Sequence, residues 1–257
     1  MVDTDWDYTH LANSYLKRAP YADEAISAML KRADLGNSVK ACDVGAGTGN
    51  LTIKLAEKGF QVNAVEPNDA MRAHGIKRTA PFKNVQWTVG TGENTGQPDN
   101  SFELVTFGSS FNVTKRSLAL KEAARILKPK GWFACMWNHR DLENPVQAKI
   151  ESLIKNSIPN YDYGARREDQ EPIINESKLF GTVIKLQGRT IHFQTADDIM
   201  EAWRSHATLI RQAGNNFSSL MGGIEKIVSD IKANEIQVPY VTRIWLAQLE
   251  SLKQTKI

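Results

Sequence analysis

Apolar positions along the chain alternate between short strand-like runs and helical stripes. Runs of strand length lie at 39–44, 61–65, 85–89, 102–107 and 132–137. Helical spacing of Leu51 and Leu55, then of Met71, then of Leu118, Ala119, Ala123, Ile126 and Leu127 separates the first from the second, the second from the third and the fourth from the fifth. Strands alternating with helices predict a parallel sheet. Upstream, Trp6, Tyr8, Leu11, Ala12 and Tyr15 recur at helical spacing until Arg18, Pro20 and Tyr21 break it, and a second helix follows from Ala22 with Ile26, Met29 and Leu30 inward. Beyond 141 the pattern predicts helices at 146–158, 197–213 and 217–233 and a strand at 182–193. A final strand at 238–246 pairs antiparallel at the sheet edge. Residues 159–176, rich in charge, Pro and Tyr, read as a loop over the substrate side.

The first strand runs into three glycines at alternate positions, Gly45, Gly47 and Gly49, with Ala46 and Thr48 between them. Strand, glycine turn and helix form the first half of a nucleotide-binding βαβ unit, and glycine lets the backbone close against a ligand. A dinucleotide fingerprint is GxGxxG, with the helix N-terminus aimed at a pyrophosphate. Here the spacing is GxGxG, and Asp43 precedes it where a phosphate is repelled and a cationic amine is welcome. Glu66 ends the second strand, where a carboxylate accepts both hydroxyls of a ribose.

These residues carry a family resemblance. DVGAGTG (43–49) resembles motif I, and AVEPN (64–68) motif II, of the class I S-adenosylmethionine-dependent methyltransferases. GTGENTG (90–96) looks like a subgroup reading GTAExTG, with Thr91 standing where an aspartate commonly binds the adenine amino group. The passage 122–141 resembles the ERxLKPGG–strand–WNxRD segment of the same small-molecule subgroup, the ubiquinone/menaquinone and trans-aconitate methyltransferase type. The resemblance covers roughly residues 8–141. It implies an α/β fold: a Rossmann-like seven-stranded sheet with helices on both faces, an N-terminal helical lid and a C-terminal helical substrate-covering insertion. It divides a single domain of 1–257 into a lid over 1–36, a cofactor-binding core over 37–140 and a substrate-covering region with edge strands over 141–257.

The resemblance also implies S-adenosyl-L-methionine as cofactor and S-adenosyl-L-homocysteine as product. The cofactor-binding residues it places are Tyr15 and Arg18 toward the methionine carboxylate, the turn from Asp43 to Gly49, then Glu66, Pro67, Asn68 and Met71 along the adenosine. Thr91, Gly92 and Glu93 fall near the adenine, and Gly108, Ser109 and Ser110 near the sulfonium. Phe111-Asn112-Val113 occupies the place of a usual Phe-His-Trp, so Asn112 replaces a histidine base or substrate orienter. His139, at a strand's ligand edge, and His206, on a helix beside Trp203, are the other catalytic candidates, since transfer needs a base only where the acceptor is protonated. Tyr21, Phe111, Asn138 and Trp203 are candidates for substrate binding, and Phe217, Tyr161 and Met221 for an apolar acceptor pocket.

Composition narrows the partner. A net charge of +3 over 257 residues, without a basic stripe, argues against nucleic acid and for a small-molecule acceptor, methylated on O or N. An RNA or protein methyltransferase and a non-catalytic S-adenosylmethionine-binding protein remain as alternatives. Cys42 and Cys135 sit in apolar strand patterns as buried free thiols. No His, Asp or Glu cluster has metal-ligand spacing. No signal peptide or membrane-length apolar run is visible, so the expectation is a cytoplasmic monomer or homodimer away from membranes.

Overall fold

The computed structural model describes residues 12–36 and 39–250; Trp6, Tyr8 and Leu11, which begin the expected lid helix, lie outside them. The lid contributes α1 (Ala12–Tyr15) and α2 (Asp23–Arg32). The core runs β1 (Lys40–Val44), α3 (Asn50–Glu57), β2 (Gln61–Val65), α4 (Asp69–Thr79), β3 (Val85–Thr88), β4 (Phe102–Gly108), α5 (Arg116–Ile126) and β5 (Leu127–Arg140). The rest is α6 (Pro145–Ser157), α7 (Glu171–Ser177), β6 (Ile184–Gln194), α8 (Ala196–Arg204), α9 (Ala207–Ala213), α10 (Phe217–Ser229) and β7 (Ile236–Gln248).

The expected alternation becomes a seven-stranded sheet in the order β3-β2-β1-β4-β5-β7-β6. Strands β1 to β5 pair in parallel, and β7 is antiparallel to both β5 and β6. From β1 the chain winds one way to β2 and β3, then returns to the other side for β4 and β5. The strand order therefore reverses between β1 and β4. A crevice opens at the carboxyl ends of strands flanking such a reversal, and open α/β sheets place their ligands there.

Four details differ from the sequence reading. The last strand is inserted between β5 and β6, so β6 rather than β7 is the sheet edge. Strand β5 starts at Leu127, because the Pro–Gly segment stays on β4 as an irregular stretch with Lys130 at φ 64 and a register shift against Phe102 and Leu104. The single helix expected at 197–213 breaks at Ser205 and His206, where the His206 side chain caps α9. The segment 159–176 folds in part: a 3-10 turn covers Ala165–Arg167, and α7 begins at Glu171 with Pro in its first turn.

Apolar side chains pack in three groups. Helices α2 and α3 bury Ile26, Met29, Leu51 and Leu55 against one sheet face. The approach is close at Gly188 of β6, where an added Cβ would lie 2.6 Å from the Ala25 backbone nitrogen. Helices α5 and α7 cover the other face over Phe107, Phe133 and Phe180. Helices α6, α8, α9 and α10 make a third cluster with the first residues of β7, forming a cap of their own. Met221, Phe217 and Tyr161 belong to this cap's packing, which corrects the expectation that they wall an acceptor pocket.

Phe111 is a second correction. It is fully buried, with its ring centroid 5.4 Å from that of Phe107 and 5.5 Å from that of Phe133. Edge-to-face contacts of this kind hold a core rather than a ligand. Phe111→Ala should therefore lower the unfolding free energy by about 3–5 kcal/mol, read from urea unfolding curves. An intact unfolding curve would return this ring to the substrate.

Candidate active site

At the strand reversal the turn after β1 meets the turn after β4. Gly45 and Gly47 adopt φ of +66 and +57, open to glycine at little strain. Gly45 has a second reason to be glycine: a Cβ there would sit 2.4 Å from the Ser110 Cβ. The Ser110 hydroxyl donates to the Val44 carbonyl at 2.6 Å, and the amides of Gly45 and Ala46 donate to the Val65 carbonyl at 2.8 and 3.0 Å. Three strand ends are thus stapled around one turn.

Two carboxylates face the same space. Asp43 is 1% exposed, and its oxygens accept the hydroxyls of Thr52 at 2.7 Å and Thr106 at 3.1 Å. Burial pushes its pKa up to about 6 against those two hydrogen bonds. An ammonium placed nearby would pull it down again. Glu66 accepts the Gly47 amide at 2.7 Å on one oxygen and the Asn68 amide at 2.9 Å on the other. Each oxygen keeps a further lone pair for a hydroxyl. Asn68 caps α4 by accepting the Met71 amide at 3.0 Å, which sets Met71 beside the turn.

A cavity of about 280 Å³ opens from this turn and runs under the lid and the helical cap. It brings together Tyr15, Arg18 and Tyr21 from the lid and Asp43 to Thr48, Glu66 to Asn68 and Met71 from the core. Thr91 to Glu93, Gly108 to Ser110, Asn138, His139, Trp203 and His206 complete it among the expected residues. Gly49, Phe111 and Asn112 stay outside. Gly49 packs toward Trp87 and Thr79 at the N-cap of α3. The Asn112 side-chain oxygen accepts the Trp137 indole N–H at 2.9 Å, so its amide supports β5 instead of meeting a substrate.

Other members of the cavity do work different from that expected of them. Asn138 donates to the carbonyls of Ala19 and Pro20, both at 2.9 Å, and accepts the Thr242 hydroxyl at 2.5 Å. With both amide hydrogens engaged it fastens the lid to the sheet and has no donor left for a substrate. The hydroxyls of Tyr21 and Ser109 share a hydrogen bond of 2.9 Å, a second fastening at the end of β4. Arg18 lies 3.4 Å over the Tyr15 ring. The Nδ1 of His206 accepts the Leu209 amide at 3.2 Å and its Nε2 lies 3.1 Å from an Arg166 nitrogen. Burial, with Arg166, Arg140 and Arg18 behind it, holds its pKa well below the usual histidine range. The ring is a helix cap and not a free base.

His139 is 8% exposed, and its Nε2 has no hydrogen-bond partner among the described residues. Burial first, then the charges of Arg167, Arg243 and Arg166, depress its pKa to about 3. The arginines are what the sequence reading missed. Arg166 and Arg167 line the cavity together with Arg140, Tyr163, Gln147 and Glu151. The pair of adjacent arginines was the available signal, but a charge pair in an apparent loop reads as a solvated surface.

Residues 42–135 match a family model described as a methyltransferase domain. Over 232 residues, 88% of each chain, the sequence is 36% identical to the uncharacterized methyltransferase Rv3342 of Mycobacterium tuberculosis. The chain belongs to the class I S-adenosylmethionine-dependent methyltransferases. It is also similar to the ubiquinone/menaquinone biosynthesis C-methyltransferase of Rickettsia bellii, 30% identical over 158 residues, covering 53% of this chain and 64% of that one. Among solved structures, the YcgJ protein of Bacillus subtilis shares the fold at a TM-score of 0.56 and 16% identity, over 88% of this chain and 98% of that one. The donor of this methyltransferase family is S-adenosylmethionine, and the residues fit it. The glycine turn leaves room for a ligand against its backbone, Glu66 has lone pairs for a ribose, and Asp43 is a buried carboxylate without a cationic partner among the described residues.

The depressed pKa of His139 gives a stability prediction. Its folded pKa lies below that of an unfolded histidine, near 6.5, so the unfolded chain binds the extra proton and stability falls as pH drops through that window. Between about pH 7 and about pH 5 this histidine should cost up to about 2 kcal/mol. His139→Gln should flatten that acid-side fall in a urea denaturation series; an unchanged slope would place the imidazole in water.

Proposed function

We propose that this methyltransferase methylates a small molecule that enters the cavity from the side of α8 and the 161–167 segment, with the methyl donor held at the glycine turn. One observation carries the reading: a single continuous cavity joins Asp43, Gly45 and Glu66 to the strand-end residues Ser109 and His139 and on to Trp203 and Arg140. A donor and an acceptor would therefore share one cavity. S-adenosylmethionine supplies a methyl group on a positively charged sulfur, ready for in-line displacement.

The protein's own part is alignment and exclusion of water. Glu66 and Met71 flank the adenosine end, Asp43 the amine, and Tyr15 with Arg18 the carboxylate. The lid, fastened by Asn138 and by Tyr21 with Ser109, closes the space at the end of β4. Base catalysis by His139 is weak, because an imidazole with a pKa near 3 is a poor proton acceptor at neutral pH. That favours an oxygen or nitrogen arriving with its lone pair available. Carbon, the acceptor atom in the name of the Rickettsia bellii relative, is the second reading. A carbon acceptor loses a proton, and because His139 is a weak acceptor for it, that route calls for an acceptor carbon that is itself acidic.

Calorimetric titration with S-adenosylmethionine, S-adenosylhomocysteine and NADH tests the donor half. The first two should bind and NADH should not. Gly45→Val and Asp43→Ala should each weaken S-adenosylhomocysteine by at least about tenfold, or ~1.4 kcal/mol. Full affinity in both variants would remove the glycine turn from the donor site.

A further inference from the structure

The far end of the cavity is basic and poorly neutralised. Lys17 is paired with Asp198 at 3.0 Å and Glu201 at 2.5 Å. Arg167 reaches Glu151 at 3.3 Å and lies 3.5 Å from the Tyr163 ring. Arg140 and Arg166 have no carboxylate partner among the described residues. The Arg140 guanidinium stacks 3.9 Å over Trp203, and Arg166 faces the His206 ring, whose depressed pKa makes it a neutral partner. Burial, with the nearby charges of Arg18, Arg167 and Arg140, pulls Arg166 itself down to about 10.

A guanidinium kept from water without an anion is costly, and several held together cost more. Unpartnered buried atoms gather at the same place. Among the described residues, the Nε of Arg166, the Nε of Arg167 and the Nε1 of Trp203 are buried donors with no acceptor, alongside the Tyr163 hydroxyl and one acceptor, the Gln147 Oε1, and the residues that bear them all line this cavity. Trp203 is 5% exposed. Buried polar groups are nearly always hydrogen-bonded, and convergent exceptions mark the position of a missing partner. These donors, beside two arginines without a carboxylate partner among the described residues, call for oxygen acceptors carrying negative charge. Planar guanidinium groups meet that need with paired N–H bonds to carboxylate or phosphate. Neither an unsubstituted hydrocarbon tail nor an amine satisfies these groups: the first leaves them bare, and the second adds to the charge.

We propose that the methyl acceptor carries an oxyanion, a carboxylate or a phosphate, and that Arg140 and Arg166 hold it while the Trp203 indole N–H donates to it. This rests on the reading of the cavity as the acceptor site.

The test uses the full chain, titrated calorimetrically with citrate, with inorganic phosphate and with triethyl citrate as an uncharged control, at ionic strength matched by sodium chloride. Each titration is run with and without S-adenosylhomocysteine. Citrate or phosphate should bind at least about tenfold more tightly than triethyl citrate. Preference for citrate assigns a carboxylate, and preference for phosphate a phosphate ester. Arg140→Gln and Arg166→Gln should each weaken the anion by about tenfold or more, while Arg189→Gln, on the sheet edge outside the cavity, leaves it unchanged. Circular dichroism confirms that each variant is folded, and Arg166→Lys, which keeps the charge, should restore part of the affinity. Anion binding no tighter than the uncharged control, or equal in the two glutamine variants, overturns the proposal. Failure of S-adenosylhomocysteine alone would strike the donor site and leave the anion titration to decide this one.

Discussion

The distance between two turns governs this molecule. The backbone after β1 approaches the end of β4 so closely that only glycine fits at position 45, with Ser110 filling the space a Cβ would take. That approach exists because β1 and β4 are neighbours in a parallel pair, Ala41 beside Leu104 and Asp43 beside Thr106. The same register delivers the Thr106 hydroxyl to the Asp43 carboxylate. A single slip of one residue in this pairing would turn Asp43 to the opposite face of the sheet. The fit of the strands and the chemistry of the turn are one constraint, and the lid, the helices and the cavity are arranged around it.

Legibility in the sequence follows from how local each signal is. The strands of the core were legible because buried parallel strands are continuous apolar runs bounded by glycine and proline. The turn from Asp43 to Thr48 was legible because its requirement is for backbone conformation, written directly in glycine. The order of the last two strands was not, since inserting β7 between β5 and β6 is a long-range choice that no neighbouring residue records. Asn112 and Phe111 were misplaced for a related reason. The tight 3-10 turn at Phe111–Val113 sends the ring into the core and the amide toward Trp137, and a motif position does not reveal which way a side chain leaves a turn. His206 looked like a base on a long helix, but the helix breaks there and the ring is spent on capping its second half.

The arginines show the limit from the other side. Arg166 and Arg167 lie in a stretch whose composition describes a surface loop. Burial comes from outside it, from α6 through Glu151, from α8 through Trp203 and from β5 through His139 and Arg140. Charge in a segment is visible in the sequence, while the dielectric around it is a property of the fold. That dielectric is what lowers His139 and Arg166 and raises Asp43 and Glu66.

Charge is unevenly distributed along the cavity. Asp43, Glu66 and Glu93 line it around the glycine turn, Arg140, Arg166 and Arg167 gather with Glu151 at the far end, and Arg18 lies close enough to Arg166 to lower its pKa. A positively charged sulfonium belongs with the first group, and negative charge on an acceptor with the second. An acceptor carrying negative charge, as proposed, would be oriented against the cationic donor before either makes a specific contact, and in a low dielectric that effect is stronger than in water. The cavity also places a constraint on the nucleophile. Among the described residues of the cavity, His139 stays neutral at physiological pH and is a weak base, which under the proposed function leaves reactivity to the acceptor itself.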